Sequence, residues 1–398
     1  MTDDVQPRLR AYARLLIHAG VNLAEGQELL VHAQHEHAPF VRAIAEEAYA
    51  GGARFVDVVY ADRWVQRAFV ATVPDEMLGW TPPWMVARLE RAIEVGAAII
   101  GVSADSGAEV FEGVDGDRLT RARFRDFDRV WMDGVMARKL AWSLVAYPTE
   151  GWAREALGEP DVERLWGAFA HALRLDAPDP AAAWRQRLDE LEARARELTE
   201  RRFAALRYRG PGTDLEVGLL PSSQWMGGHL TTCYGLVHHP NLPTEEVFAV
   251  PDPERVQGTV RSSKPLQLDG SVVRDFTVEF DGGRVQRIEA AANGGILEAY
   301  AARDEGASRL GEIALVDGRG RVGPLRTVFY DTLIDENAAS HMALGQGFDW
   351  AVGGDDVTRV NRSQIHVDFM YGSDELEVDG VTRAGERIPL LRGGAWQV

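Results

Sequence analysis

The chain has 398 residues, 45% of them hydrophobic and 26% charged, with a formal net charge of -18. It is too long for one ordinary core and too apolar for disorder, so two compact domains of roughly 150 to 200 residues each are expected. Cys233 is the only cysteine, which excludes an intramolecular disulfide or a multi-cysteine zinc cluster and points to a reducing cytoplasm. The excess of 61 acidic over 43 basic side chains repels nucleic-acid phosphates and anionic lipid, so neither nucleic acid nor membrane is an expected partner.

The start, Met1 to Pro7, is acidic and polar, without the basic end and apolar run of a secretory signal. Leu9 to Ala19 has amphipathic helical spacing, Glu28 to Ala33 is a short apolar run, and Pro39 to Ala50 is again helical before Gly51-Gly52. Phe55 to Tyr60 and Ala97 to Val102 complete a strand-then-helix alternation that predicts a largely parallel sheet. The run from Val95 to Val102 is far shorter than the roughly 20 residues that span a bilayer. Phe127 to Met132 fits a further strand or the start of a helix.

From Glu163 to about Leu206 the pattern is helical, interrupted at Ala177-Pro178-Asp179-Pro180. Asp179 is a candidate cap for a charge-laced helix over Ala181 to Leu206, read as a solvated link. Beyond it the texture turns to short strands and glycine-rich turns, at Asp214 to Leu219, Glu245 to Val250, Gly258 to Ser262, Phe276 to Phe280, Val285 to Ala290, Glu312 to Val316 and Val328 to Tyr330. The expected fold is α/β: an N-terminal parallel-sheet α/β domain over residues 1–182, a linking helix over 183–206, and a β-rich α+β catalytic domain over 207–398.

Three motifs invite a functional reading. Gly318 to Gly323 matches G-x-G-x-x-G after a strand, but Pro324 and Thr327 to Tyr330 follow it, so a turn between strands is favoured over a nucleotide site. His32, His35 and His37 lack metal-ligand spacing and are read as a solvated loop, and His238-His239 beside Pro240 has the same reading. The C-terminal quarter says more. Asp335 is a candidate N-cap for a short helix of small residues, on which Asn337 and His341, four apart, share a face. In the strand pattern Ile365 to Met370, His366 and Asp368 project from one side, an arrangement suited to a divalent ion. Glu245, Glu246 and Glu312 are acidic positions in otherwise apolar strands, where a buried carboxylate needs a compensating partner.

At these residues the sequence closely resembles the aminopeptidase T family of dinuclear metallo-aminopeptidases. The likeness is carried by Asn241 to Phe248, Arg309 to Val316, Asp331 to His341 with Gly345-Gln346, and His366-Val367-Asp368, and reaches back to Gly20-Val21-Asn22-Leu23 and the turn from Gly210 to Leu215. It implies that Glu246, Glu312, His341, His366 and Asp368 are metal ligands, with Glu312 bridging two divalent ions, of which zinc, cobalt and manganese are those associated with the family. It implies cytoplasmic homodimers with active sites opening into an internal cavity, and short peptides as substrates.

The expected reaction is release of the N-terminal residue by a water activated between the two ions. A carboxylate must accept that water's proton, and Glu312 and Glu336 are the candidates. The family pattern places a tyrosine seven residues after the histidine of the Asp331 to His341 motif, where this chain has Phe348, which neither ligates nor donates a hydrogen bond. Tyr371 lies on the opposite strand face from His366 and Asp368. Phe348 motivates the alternative of a metal-binding protein of the same fold with little or no peptidase activity.

Overall fold

Four short apolar runs in the first half of the chain form one parallel sheet, in the order Phe55–Ala61, Glu28–Gln34, Ala98–Ser103, Ala141–Ala146. They belong to a computed structural model that describes residues 5–103, 110–268 and 271–398. The acidic start, residues 1–4, on which the argument against a secretory signal largely rests, lies outside the described residues. Three of these strands fall where apolar or β-branched runs predicted them. The fourth, Ala141–Ala146, has a mixed composition that gave no strand signal, and follows the helix Arg125–Met136, which resolves the ambiguity at Phe127 to Met132. Helices Val5–Leu15, Ala38–Ala50 and Pro83–Glu94 supply the remaining alternation. An aromatic core binds this part together: Tyr12 stacks on Phe40 at 4.5 Å and meets Phe169 edge-on, while Phe169 also packs against Trp152 and Trp166.

The chain divides into two compact units, one of residues 1–186 with 229–243, the other of residues 187–228 with 244–398. The division falls within the helix Pro180–Arg201. As expected, Asp179 caps that helix, its Oδ1 accepting from the N–H of Ala182 at 3.0 Å. One expectation about this helix is corrected, its C-terminal end. It stops at Arg201 because Arg202 turns into the left-handed region (φ +48°), and Ala205–Gly210 is already a strand. The helix read as a solvated link also has a buried face: Trp184, Leu188, Leu191, Ala195 and Leu198, spaced three and four apart, are buried, and the charges occupy the other face.

The second unit is built on two antiparallel sheets. Among the described residues the larger runs Leu266–Leu268, Ser271–Asp281, Pro251–Arg261, Thr213–Leu219, Ala205–Gly210, Glu377–Val381, Arg387–Arg392, Ala395–Trp396, with Arg284–Ala292 also pairing on Ser271–Asp281. The smaller sheet runs His366–Met370, His341–Gly345, Leu310–Val316, Glu246–Ala249, Met226–Gly227. Side chains from both enter one apolar core, among them Val217, Val260, Phe276, Ile313, Leu315, Met342, Val367 and Phe369. No strand forms at Val328 to Tyr330, contrary to expectation, because Arg326 (φ +49°) and Tyr330 (φ +54°) are left-handed and break the extended backbone a ladder needs. The Gly318 to Gly323 string is a turn, with Gly320 N–H bonded to Asp317 O, that leads into the short helix Gly323–Leu325. A three-residue 3-10 turn offers no pyrophosphate-binding helix N-terminus.

Candidate metal centre

The register of the smaller sheet decides where its polar residues point. Glu246 lies opposite Val316, His341 opposite Ala314, Ala343 opposite both Glu312 and Asp368, and Gly345 opposite His366. Side chains alternate along each strand, and paired residues share a face, so Glu246, Glu312, His341, His366 and Asp368 all stand on one face. The other face, Val247, Ala249, Ile313, Leu315, Met342, Leu344, Val367 and Phe369, is core. Four neighbouring strands thus deliver five potential ligands to one place.

A bulge makes this possible on the Leu310–Val316 strand. Leu310 and Glu312 are two apart and in an unbroken strand would share a face, yet Leu310 is in the core. The pairing shifts between them, which turns Glu312 the opposite way. Gly311 is required at the bulge: a Cβ there would sit 2.4 Å from the carbonyl oxygens of Gly345 and Gln346.

The five side chains converge as two groups that share Glu312, namely Glu246, Glu312 and His341, and Glu312, His366 and Asp368. Nε2 of His341 is 2.9 Å from Glu246 Oε2 and 3.8 Å from Glu312 Oε1. Nε2 of His366 is 3.5 Å from Glu312 Oε2 and 3.4 Å from Asp368 Oδ1. Glu312 and His341 are 6% and 2% exposed at the side chain, whereas His366 is 20% exposed, so the cluster opens toward solvent on the His366 side.

Both imidazoles are oriented through their other nitrogen. Nδ1 of His341 lies 3.0 Å from the carbonyl of Glu336, and Nδ1 of His366 lies 2.8 Å from the carbonyl of Gln346. A carbonyl only accepts, so each Nδ1 carries a proton and each ring turns Nε2 toward the carboxylates, the position from which a metal-ligating histidine so oriented would offer its lone pair. Oε2 of Glu246 is buried and lies 2.9 Å from Nε2 of His341, without a well-aligned hydrogen bond among the described residues. A buried carboxylate oxygen this close to the Nε2 of a ring whose other nitrogen already donates to a carbonyl fits a cation shared between them better than it fits a closed network of hydrogen bonds.

The charge balance agrees. Burial opposes charge on both rings, yet the carboxylates outweigh it: Glu246 above all holds His341 well above the usual imidazole range, and Asp368 with Glu312 raises His366 to about 10. Burial raises Glu312, opposed by the His341 contact and reinforced by Glu246. Glu336, also buried, is pushed well above the carboxylate range by desolvation and then by Asp368 and Glu246. Burial also works against ionisation of Asp368, but His366 holds it below the usual value. Buried carboxylates that raise both imidazoles, and among which Glu312 and Glu336 are themselves raised, form a cluster that divalent cations neutralise.

Several sequence expectations meet this site differently. Glu336 is brought to the cluster, its carboxyl sensing Asp368, Glu246 and Glu312. Glu245 is turned away: its side chain is wholly buried and pairs with Arg187 Nε at 2.7 Å. Tyr371 is in the core, as expected, donating to Ala314 O and meeting Tyr208 edge-on. The expected helix bearing Asn337 and His341 does not form. The helix is Thr332–Asp335 with Asp331 at its N-cap, and His341 opens the next strand. Asp335 is that helix's last residue, buried, and accepts from the N–H of Phe329 at 3.0 Å. Small residues at 338–340 let the chain turn sharply into the sheet, where a full helix would have overshot it. Asn337 has a task its spacing did not reveal: its Oδ1 accepts from Glu245 N–H at 2.6 Å and its Nδ2 donates to Leu333 O, tying the His341 loop to the residue before Glu246. The metal-capable groups among the described residues include none of His32, His35, His37, His238 or His239.

With this geometry in hand, comparison places the chain among known proteins. A family model described as thermophilic metalloprotease (M29) matches residues 5–396. Aminopeptidase T of Thermus aquaticus is 40% identical over 100% of both chains. Aminopeptidase 2 of Geobacillus stearothermophilus is 36% identical over 98% of both. Among solved structures, wild-type AmpT from Thermus thermophilus superposes with a TM-score of 0.92 at 38% identity, covering 98% of this chain and 99% of that one.

Proposed function

The chain belongs to the M29 family of thermophilic metalloproteases and is a metallo-aminopeptidase, and we propose that it releases the N-terminal residue of short peptides with two divalent ions held by Glu246, Glu312, His341, His366 and Asp368. The observation that carries the two-ion reading is Glu312, which offers one oxygen to the His341 group and the other to the His366 group. Bound there, the ions supply Lewis acidity that lowers the pKa of a water and polarises the scissile carbonyl. Carboxylate and imidazole donors suit zinc, cobalt or manganese.

The protein's own groups do the rest. Gln346 and Glu336 fix the histidine tautomers through their carbonyls, so both Nε2 atoms stay available as ligands. Glu312, whose two oxygens face the two groups, would take part in proton transfer only through the bound water. Glu336 is the proposed general base: its carboxyl stands at the cluster, and burial among negative charges raises its proton affinity above that of an ordinary carboxylate, which favours accepting a proton from the water. The resemblance to aminopeptidase T further supports a cytoplasmic homodimer.

The test is hydrolysis of a free-amine peptide against its N-acetylated form, with and without chelator. Release of the first residue from the free amine alone, abolished by chelator and restored by metal, is expected. Bound metal without release from any free-amine peptide would instead support the metal-binding alternative that Phe348 raises.

A further inference from the structure

Beside the ligand cluster lies a surface of different chemistry. Phe348 stacks on Trp350 with ring centres 4.6 Å apart and planes 29° apart, meets Phe248 edge-on at 5.7 Å, and tilts over the ring of His366 at 5.1 Å. All three aromatic residues are half-buried. Phe248 follows Glu246 by two residues and so shares its sheet face, which makes the aromatic surface run from the Glu246 strand to the ring of His366. Behind it pack Leu220, Val250, Ala351, Val352 and Val360, which hold the rings of Phe348 and Trp350 in place. The indole N–H of Trp350 is buried and has no hydrogen-bond partner among the described residues.

Holding a cation requires none of these rings, since phenylalanine and tryptophan offer no ligand atom. In an aminopeptidase, however, one substrate group must lie close to the ions without touching them. The side chain of the first residue branches from the carbon between the α-amine and the scissile carbonyl, so it projects within one side-chain length of the ligand cluster. We propose that Phe248, Phe348 and Trp350 receive that side chain and make the enzyme selective for peptides that begin with a large apolar or aromatic residue. The proposal rests on the aminopeptidase reading and goes beyond it by naming the substrate class. A leucine or phenylalanine side chain covers the rings and leaves water, alanine covers little of them, and an aspartate brings a further like charge to a cluster already rich in carboxylates.

The experiment measures kcat/KM of the metal-loaded enzyme for dipeptides beginning with Phe, Leu, Ala and Asp, and, separately, the binding of free L-phenylalanine and L-alanine by calorimetry. Phe- and Leu-peptides are expected to exceed Ala-peptides by roughly 10- to 100-fold, and L-phenylalanine to bind about tenfold or more tightly than L-alanine. In Phe348→Ala and in Phe248→Ala both ratios should shrink toward one, chiefly through KM. Metal content is measured in each variant, and one that has lost its metal is set aside in favour of the other and of the wild-type series. Equal turnover of Phe- and Ala-peptides, or ratios untouched by both substitutions, overturns the proposal while leaving the aminopeptidase reading intact. Failure to hydrolyse any peptide sinks that reading instead, and the amino-acid titrations still decide whether the aromatic surface selects.

Discussion

The two carboxylate oxygens of Glu312 face different histidines, Oε1 lying 3.8 Å from Nε2 of His341 and Oε2 lying 3.5 Å from Nε2 of His366. On the two-ion reading this residue is common to both metals, whereas Asp368 belongs to the His366 group alone. Glu312→Gln keeps the shape and removes the charge, so it should weaken metal binding at both positions, on the order of 100-fold or more in affinity. Asp368→Asn should empty only one. Elemental analysis after dialysis distinguishes them: near-zero metal is expected for the first and about half of the wild-type content for the second. Equal loss in both would argue for a single ion.

Glu336 serves the site through two separate atoms, which makes its carboxyl testable without dismantling the centre. Its backbone carbonyl orients His341, and that bond survives any side-chain substitution. Glu336→Gln should therefore keep its metal and its substrate KM while kcat falls by roughly 10²- to 10⁴-fold, the range for removing a general base. Unchanged kcat in a metal-replete variant removes Glu336 from the mechanism.

Arg187 and Glu245 form an ion pair at 2.7 Å in which the carboxylate side chain is wholly buried and the guanidinium 17% exposed. Arg187→Ala leaves that carboxylate buried beside the Asn337 tether, in the segment that leads into Glu246. The expected cost is about 3 to 5 kcal/mol of stability. Denaturant titration at saturating metal should show the midpoint shift, and a double variant that also carries Glu245→Gln should recover part of it. No recovery would mean that the pair is not what holds the segment.

How much of this was legible beforehand depended on range. His366 and Asp368 could be put on one strand face from alternation alone, and register then carried Glu312 to the same face. Choosing Glu246 over Glu245 needed the resemblance, because both sit in one apolar run and only the tertiary partner Arg187 distinguishes them. The stretch after Asp335 up to His341 reads as a short helix because its small residues satisfy helical spacing. The competing pull came from sheet pairing, with His341 opposite Ala314 and Met370, which no local pattern displays. The bulge at Gly311 was equally hidden, since a lone glycine in a strand pattern does not say which way its neighbours turn. The strand Ala141–Ala146 was missed because its partner, Ala98–Ser103, lies about forty residues away.

His238 is the clearest buried titratable group away from the metal centre. It lies in the short strand Val237–His238, paired with Leu230–Thr231, and neither ring nitrogen has a well-aligned hydrogen-bond partner among the described residues. Burial first, then the neighbouring His239 and His229, lowers its pKa from 6.5 to about 4. The folded protein thus holds this ring neutral, while the unfolded chain takes up a proton below pH 6.5. Stability from this residue is complete above that pH, falls as the pH drops toward 4, and changes no further below. The full difference amounts to roughly 3 kcal/mol. His238→Leu removes the titration and keeps an apolar side chain of similar size. Denaturant unfolding at pH 5 and at pH 7.5 should therefore show a larger stability loss on acidification for the wild type than for the variant, by about 2 kcal/mol. Identical pH dependence in the two proteins would mean that His238 finds a proton acceptor in the folded state and is not held neutral by burial.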